Sequence, residues 1–336
     1  MKKILYIGNK LSDHGNTATS IETLGNFLEI ENYKVYYASS KKNIIFRMLD
    51  MIYKTIFLSR KMDYVLIDTY STLNFWYALI ISQLCRVLNL KYIPKLHGGD
   101  LPKRLNKDKF LCSLIFKNAY LNIAPSAYLY EAFLENGYTN IKYIPNTIAL
   151  NKYKFKHRNF DFPRILWVRS FAQIYNPLMA VKVLLQVKKI YPNATLCMVG
   201  PIKDESYEQT LEFTKINNVD VVFTGKLSKK KWISLSNDYN VFINTTHYDN
   251  TPVSVIEALA LGLPVVSTNV GGIPFLLEHE INALLSNDDD HEAMVLQIVK
   301  LFENNDLSKQ LTNNGLELVK SFDWEIVKKD WKNLLK

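Results

Sequence analysis

Two acidic residues eight positions apart, Asp249 and Glu257, have the types and spacing that chemistry could use. Glu257 is the one ionisable residue between Asp249 and Glu278, and it lies in the apolar segment VSVIEALALG. A buried carboxylate is costly unless it accepts hydrogen bonds, and this passage holds no lysine or arginine that could pair with it. A vicinal diol such as that of ribose presents two donors at carboxylate spacing. The alternative is a glutamate at the edge of a sheet that meets a remote backbone group.

A strand, a loop and a helix must position these acids. NVFINT has the pattern of a buried strand, and THYDN is the loop that leaves its carboxyl end. Thr251 suits a helix N-cap and Pro252 the first helical residue. Gly262 and Pro264 end the helix before the next strand, PVVST. We therefore expect Glu257 in the second turn of a helix whose amino end faces a cleft.

Strands alternate with helices along both halves of the chain. The first half opens with the strand KKILYIG, and Thr19 and Glu22 have the spacing of a capping box for the next helix. After the polar stretch NTIALNKYKFKHRNFDFP the alternation restarts with RILWVRS. The pattern predicts the α/β class, with two Rossmann-like domains of doubly wound parallel sheet, residues 1–148 and 149–321, that face a central cleft. The chain closes with an amphipathic helix, residues 322–336.

Composition and charge narrow the function classes. The 336 residues are 48% hydrophobic, without an apolar stretch near the roughly 20 residues of a membrane span. Cys85, Cys112 and Cys197 form no disulfide or zinc pattern, which favours reduced thiols in a cytoplasmic protein. Residues 1–150 hold 19 lysines and arginines against 11 acids, a charge of +8. This predicts an anionic partner, and the strand-core pattern of the aromatic residues argues against nucleic acid and for a phospholipid surface.

The passage from Asp249 onward resembles a known signature. An acid, seven residues, a second acid and EALALGLPVVSTNVGGIP together resemble the donor site of the family-four retaining glycosyltransferases of GT-B fold (glycosyl transferases group 1), bacterial type. Weaker similarities extend over nearly the whole chain: KLHGGDLP, YIPNT, ILWVRSF, VVFTGKLS and FDWEIV. The resemblance implies two Rossmann-like domains with a nucleotide sugar between them. It also implies that helix 322–336 packs back onto the first domain.

Carried over by position, the resemblance gives the second half a donor site. Glu257 would bind the ribose of the nucleotide, and Asp249 the hydroxyls of the sugar. Arg169 would offset the charge of the diphosphate, because a guanidinium binds phosphate oxygens bidentately. The sugar would also meet the backbone of the three residues after Asp249: Asn250, Thr251 and Pro252.

The resemblance assigns two loops of the first half. Gly15 falls in the loop after the first strand, where bare N–H groups and a helix start approach phosphate. His97, a candidate catalytic residue together with Arg169 and Asp249, falls in the acceptor-side loop. The other members of that loop are Gly98, Gly99 and Asp100.

Three positions depart from the family pattern. The first acid is Asp249 rather than glutamate, and Val168 replaces the glycine before the arginine. The lysine expected a few residues after Arg169 is absent. Lys226, in FTGKLS, is the nearest substitute as a cation for the diphosphate.

An acidic segment, SNDDDHEA at 286–293, has the residue types of a metal site. Its pattern favours a polar loop with an N-cap, since three consecutive acids at a loop-to-helix junction cannot all face one ion. The resemblance implies no metal, because helix amino ends and cations stabilise the leaving group instead.

Segment 41–61 has two interpretations. A narrow polar stripe runs among its aliphatic and aromatic residues, formed by Asn43, Arg47, Asp50 and Lys54. It is either a helix that covers the sheet or an interfacial helix whose basic residues meet phosphate heads. The charge of +8 favours the second. The candidates for insertion between lipids are Phe46, Met48, Ile52 and Phe57.

The expected function is metal-independent retaining transfer of a hexosyl group from a nucleoside diphosphate sugar to an acceptor hydroxyl. No cofactor is expected beyond this nucleotide-sugar co-substrate. The acceptor would be a lipid-linked or saccharide intermediate of surface polysaccharide or glycolipid assembly, and the protein cytoplasmic, peripheral on the inner face of the cell membrane. Two alternatives stay open. They are an epimerase or phosphorylase of the same fold, and a catalytically silent nucleotide-sugar-binding protein.

Overall fold

Apolar runs of three to six residues form two parallel sheets, one in each of two structural units. Unit 1 consists of Met1–Thr147 and Val327–Lys336, and unit 2 of Ile148–Ile326. The structure is a computed structural model that describes residues 1–12 and 19–336. Gly15, which the resemblance assigns to a phosphate loop, lies outside the described residues.

Within the described residues, the sheet of unit 1 has six parallel strands in the order β2-β1-β3-β4-β5-β6. The strands are β1 (Lys3–Ile7), β2 (Lys34–Ala38), β3 (Tyr64–Thr69), β4 (Tyr92–Leu96), β5 (Asn122–Ala124) and β6 (Ile141–Tyr143). The helices that cover them are α1 (Ser20–Ile30), α2 (Ile44–Leu58), α3 (Phe75–Val87), α4 (Leu101–Lys107), α5 (Lys109–Phe116) and α6 (Ala127–Glu135). The central strands β3 and β4 are buried along their whole length, as expected of parallel strands covered on both faces.

The described part of unit 2 repeats this plan with the strand order β12-β11-β10-β7-β8-β9. Its strands are β7 (Arg164–Val168), β8 (Thr195–Val199), β9 (Val222–Gly225), β10 (Val241–Asn244), β11 (Val265–Thr268) and β12 (Leu284–Ser286). Its helices are α7 (Pro177–Ile190), α8 (Ser206–Ile216), α9 (Lys229–Leu235), α10 (Val253–Ala260), α11 (His291–Glu303) and α12 (Asn305–Lys320). Two doubly wound parallel sheets confirm the predicted α/β class.

Local sequence signals set several helix ends. Glu22 accepts a hydrogen bond from the backbone N–H of Thr19 at 2.9 Å, as the capping-box spacing predicts. Gly262, just beyond α10, has φ +73°, a conformation that favours glycine and ends the helix where expected. The predicted start of α10 is wrong by one residue, because Pro252 is the N-cap and the helix begins at Val253.

From Ile148 onward the polar stretch expected between the halves belongs to unit 2, where Arg158 anchors it. This side chain is buried and donates to the backbone carbonyls of Ser236, Tyr239 and Leu261 at 2.8, 3.2 and 2.6 Å. The last helix, α13 (Trp324–Leu334), begins in unit 2 and ends in unit 1.

Within unit 1, Asp330 of α13 forms an ion pair with Lys142 at 2.7 Å, and Trp331 is buried. Among the helices of the described residues, none has both the length and the apolar character needed to span a bilayer.

Candidate functional site

The adjacent strands β7 and β10 bring together two of the predicted donor-site residues. Arg169 directly follows β7, and Asp249 lies in the loop between β10 and α10. The Arg169 guanidinium forms an ion pair with the Asp249 carboxylate, and its Cζ lies 4.2 Å from the centroid of the Tyr175 ring. The two side chains of the pair are only 13% and 15% exposed. Burial lowers the pKa of Arg169, but a guanidinium stays protonated in proteins, so the site contains a nearly buried cation.

Glycines allow the loops around this pair to approach closely. The Gly272 N–H donates to the carbonyl oxygen of Asp249 at 2.9 Å. A Cβ on Gly271 would overlap that carbonyl oxygen, and one on Gly272 would overlap the carbonyl oxygen of Asn250. Gly200 has the same role beside Arg169, since its Cβ would overlap the Arg169 carbonyl oxygen. The two glycines of STNVGGIP are therefore needed to seat the Asp249 loop.

The resemblance assigns three residues to backbone contacts with the sugar, and these residues lead directly into α10. Asn250 and Thr251 are 6% and 8% exposed, and the Asn250 N–H donates to Asp249 Oδ1 at 2.8 Å. The Pro252 carbonyl accepts the N–H of Val255 at 3.0 Å as the helix begins. The chain thus turns from Asp249 into α10 within three residues.

Glu257 is buried in the second turn of α10, with 3% of its surface exposed. Its Oε1 accepts a hydrogen bond from the Tyr153 O–H at 2.6 Å and forms an ion pair with the ammonium group of Lys229. Among the described residues, no donor reaches Oε2. The carboxylate is therefore held by one oxygen and keeps the other as an acceptor. Burial and the neighbouring carboxylate raise the pKa of Tyr153 well above its ordinary value, so its hydroxyl stays a donor.

Lys229 is the cation that the sequence did not reveal. Lys226, the predicted substitute, lies exposed in the turn after β9. Three residues further, Lys229 opens α9 and pairs with Glu257, although its own side chain is 56% exposed. Three consecutive lysines at the start of a helix could have suggested a cation near the site, but no local pattern distinguishes the first of the three from the other two.

In unit 1, His97 lies directly after β4 and is held from two sides. Its Nε2 is 2.8 Å from Asp68 Oδ1, and its ring stacks on Tyr70 with centroids 4.9 Å apart. Burial and the nearby charge of Lys95 lower the pKa of His97, an effect that Asp68 partly offsets. A neutral ring that donates to Asp68 through Nε2 keeps Nδ1 as an acceptor.

Two charged residues behind His97 were missed by sequence reasoning. Asp68 is fully buried in β3 and accepts the Tyr6 O–H at 3.0 Å. Lys95, in β4, is 4% exposed and donates to Ser20 Oγ at 2.7 Å and Asn146 Oδ1 at 3.2 Å. Burial lowers the pKa of Lys95 to about 8. Both lie in strands that were treated only as core, where a charged residue is itself a signal.

The remaining acceptor-side residues have structural partners. Gly98 has φ +83°, which favours glycine, and the Gly99 carbonyl accepts the Tyr128 O–H at 3.4 Å. Asp100 begins α4 and forms an ion pair with Lys103 at 3.0 Å.

The three aspartates of segment 286–293 have three separate partners. Asp288 lies 2.8 Å from His247 Nδ1, Asp289 accepts from the Asn176 amide at 2.9 Å, and Asp290 caps α11 through the Ala293 N–H at 2.8 Å. The polar-loop interpretation is confirmed. Within residues 1–12 and 19–336, no group of three or more His, Cys, Asp or Glu side chains could hold a metal ion.

Solved structures similar to this chain include glycosyltransferases and a sucrose-phosphate synthase. Sucrose-phosphate synthase from Thermosynechococcus elongatus matches with a TM-score of 0.83 at 18% identity, covering 99% of this chain and 98% of that one. HepE from Anabaena, solved in complex with UDP and glucose, matches with a TM-score of 0.78 at 16% identity, covering 100% and 99%. At these identities the likeness shows the fold, which is GT-B with two Rossmann-like units.

Curated relatives point the same way. An uncharacterized glycosyltransferase of Methanocaldococcus jannaschii is 25% identical over 71% of this chain and 66% of its own length. The capsular polysaccharide biosynthesis glycosyltransferase CapM of Staphylococcus aureus is 27% identical over 56% of this chain and 48% of its own. The match therefore spans less than two thirds of these relatives. The family model for glycosyl transferases group 1 matches residues 151–318, which is half of the chain and contains Arg169, Asp249 and Glu257. This chain belongs to the glycosyl transferases group 1 family.

Proposed function

We propose that the protein transfers a hexosyl group, with retention of configuration, from a nucleoside diphosphate sugar to an acceptor hydroxyl. The observation that supports this most strongly is the cluster at the carboxyl edge of the unit 2 sheet. There a nearly buried guanidinium is paired with Asp249, and α10 holds a carboxylate whose Oε2 receives no donor from residues 1–12 and 19–336. These groups match the three parts of a donor: diphosphate, sugar hydroxyls and ribose diol.

Each group has a distinct task in this proposal. Glu257 Oε2 accepts from a ribose hydroxyl while Tyr153 and Lys229 hold Oε1. Arg169 binds the diphosphate, whose charge grows as the bond to the sugar breaks. Asp249 orients the guanidinium and offers its remaining lone pairs to sugar hydroxyls.

The transfer step needs no protein nucleophile in this proposal. The bond from the anomeric carbon to the diphosphate breaks, and its electron pair leaves with the diphosphate. The acceptor oxygen bonds to the same face of that carbon, and its proton passes to the departing diphosphate. Asp249 is held by Arg169 and so is not available as a nucleophile, and His97 remains a proposed catalytic residue of unit 1. The positive charge is supplied by Arg169 and the amino end of α10, so we propose that no metal ion or other cofactor takes part.

We further propose that the acceptor is a lipid-linked or saccharide intermediate of surface polysaccharide or glycolipid assembly. CapM is named for capsular polysaccharide biosynthesis, and residues 1–150 carry a charge of +8 that suits anionic lipid. The corresponding location is the cytoplasmic face of the cell membrane.

A thermal-shift panel of UDP-, GDP- and ADP-sugars tests the donor site, because a bound ligand raises apparent stability by mass action. For the nucleoside diphosphate that binds, Glu257→Gln should weaken affinity about 10- to 150-fold, since a charged hydrogen bond contributes about 1.5–3 kcal/mol. Glu278→Gln, an exposed acid at the end of the same passage, is the matched control. Wild-type affinity in a folded Glu257→Gln protein would contradict the ribose assignment.

Turnover assays separate the chemical alternatives. We expect sugar transfer to a lipid-linked acceptor that survives excess EDTA. Consumption of the sugar nucleotide without any acceptor would instead indicate an epimerase or phosphorylase. Binding without turnover of any kind would indicate a silent binding protein.

A further inference from the structure

Helix α2 is apolar on its outer side. The residues that it buries are Arg47, Met51 and Thr55, which form one stripe with a spacing of four. Seven large apolar side chains of α2 are between 52% and 65% exposed. One of them, Ile44, opens the helix, and the other six are Ile45, Phe46, Leu49, Tyr53, Ile56 and Phe57. At 3.6 residues per turn these six cover about 120° of the helix surface, directly opposite the buried stripe. A surface helix ordinarily has the reverse pattern, with polar residues outside.

The structure decides which of the predicted inserting residues are available. Met48 and Ile52 pack against the core of unit 1, so the expectation that they insert into lipid is wrong. Phe46 and Phe57 are 64% and 62% exposed, and Phe57 stacks on Tyr53 with ring centroids 5.6 Å apart. The exposed face therefore has aromatic side chains toward both of its ends.

Specific contacts fix α2 in this orientation. Asn43 Oδ1 caps its amino end by accepting the N–H groups of Ile45 and Phe46 at 2.9 and 3.3 Å. On the inner side, Lys54 donates to the carbonyl of Tyr37 at 3.0 Å, and buried Met51 joins the core. Rotating the helix to bury its outer face would break the bond to Tyr37 and expose Met51. The apolar surface is thus a property of the folded unit.

Basic residues flank this face at both ends. Lys41 and Lys42 precede the helix and are exposed, as are Arg60 and Lys61 after it. Lys61 Nζ lies 5.7 Å from the centroid of the Phe57 ring. The single acid of segment 41–61, Asp50, is paired with Lys54 at 3.1 Å. An apolar face with cations at its rim complements an anionic lipid surface, in which phosphates lie beside acyl chains.

A second copy of the chain fits this surface poorly. If two α2 faces met, in either direction, the basic residues at the helix ends would lie against basic residues of the partner. Juxtaposed like charges oppose association, and Asp50 is already paired.

We propose that α2 binds an anionic phospholipid bilayer by lying in its interface, with Phe46, Leu49, Tyr53 and Phe57 inserted among the acyl chains. The basic residues at the two helix ends then contact lipid phosphates. This inference deepens the proposed location at a membrane, but it does not depend on the proposed reaction.

Vesicle co-sedimentation of the full chain tests the proposal. We expect binding to phosphatidylcholine vesicles that contain phosphatidylglycerol, weakening as salt is raised, because charge attraction is screened over roughly 10 Å at 0.1 M. Phe46→Ser combined with Phe57→Ser should reduce binding at least tenfold. Phe110→Ser is the matched control, since it removes a 73% exposed phenylalanine from another helix of unit 1. All these side chains are exposed, so thermal melts should confirm folded variants.

A charge variant tests the rim. Replacing Lys41, Lys42, Arg60 and Lys61 with glutamine should remove the preference for anionic vesicles. The same change at Lys188 and Lys189 of unit 2, in the last turn of α7, should not.

Three outcomes would overturn the proposal: no binding to anionic vesicles, equal binding to neutral ones, or an equal loss in the Phe110→Ser control. Sedimentation velocity without lipid tests whether a second copy of the chain binds the exposed face of α2 instead. A wild-type dimer that becomes monomeric in the double phenylalanine variant would assign the face to self-association. Nucleoside diphosphate binding, measured without vesicles, reports separately on the proposed function.

Discussion

The two units hold their carboxylates through different hydrogen-bond partners. In unit 2 each acid faces a cation: Asp249 faces Arg169, and Glu257 faces Lys229, whose side chain is 56% exposed. In unit 1 the carboxylate of Asp68 is fully buried and accepts from the neutral Tyr6 hydroxyl.

The difference indicates what each cluster can offer a ligand. We expect the ion pairs at the edge of unit 2 to exchange partners with a charged ligand, because a bound phosphate can replace a carboxylate as the acceptor of a guanidinium or ammonium group. In unit 1 the Tyr6 hydroxyl and the His97 ring both contact Oδ1 of the buried Asp68, so we interpret this carboxylate as a support that positions His97. On this interpretation, unit 2 binds charge and unit 1 orients an uncharged group.

The substitution Arg169→Ala tests most directly whether unit 2 binds the charge of the diphosphate. We expect turnover to fall by about 10²-fold or more, the usual scale for one charge-stabilising donor. Arg164→Ala is the control, since that arginine of β7 pairs with the exposed Asp161 away from the cluster. A loss below tenfold, in a protein that melts like wild type, would mean that other groups stabilise the diphosphate.

Sequence reasoning reached the features of unit 2 that are encoded locally. The strand–loop–helix order around Asp249, the second-turn position of Glu257 and the helix end at Gly262 each depend on a few neighbouring residues. The partners of Glu257 could not be predicted from the sequence, because Lys229 and Tyr153 are 28 and 104 residues away in the chain. Such contacts depend on strand order rather than on local pattern.

The same limit applied in unit 1. Asp68 and Lys95 are in adjacent strands whose pairing aligns them, which the separate strand sequences do not show. For α2 the sequence predicted a helix with a polar stripe but not which side faces the core. Packing against the sheet buries Arg47 and Thr55 and leaves the aromatic residues outside.

The pH dependence of stability tests the unit 1 half of the comparison. Burial lowers the pKa of Lys95 to about 8, whereas an unfolded lysine titrates near about 10.4. Between these values the unfolded chain binds more protons, so Lys95 destabilises the fold below pH 8 and stability rises with pH above it. From pH 8 to pH 9.5 the gain should be about 1.5 kcal/mol.

Urea unfolding of wild type and Lys95→Met at several pH values measures this gain as a difference between two curves. Other titrating groups contribute to both proteins and largely cancel. We expect the wild-type curve to rise relative to the variant across this window. Parallel curves would mean that Lys95 is solvated rather than buried.

The smallest expected effect concerns Lys229, an exposed lysine that pairs with the buried carboxylate of Glu257. Its ammonium is largely exposed, and ion pairs of this kind contribute about 0.2–1 kcal/mol, so Lys229→Ala should weaken nucleoside diphosphate binding by only about two- to fivefold. Lys230→Ala removes the same charge from the same helix without touching Glu257, and affinity should then be unchanged. A 2′-deoxyribose diphosphate separates positioning from general attraction. If Lys229 holds the carboxylate for the ribose diol, the deoxy ligand should bind weakly and be insensitive to Lys229→Ala, as a double-mutant cycle requires. Equal losses for both ligands and both lysines would reduce Lys229 to a source of positive potential, and the contrast between the units would then rest on Arg169 alone.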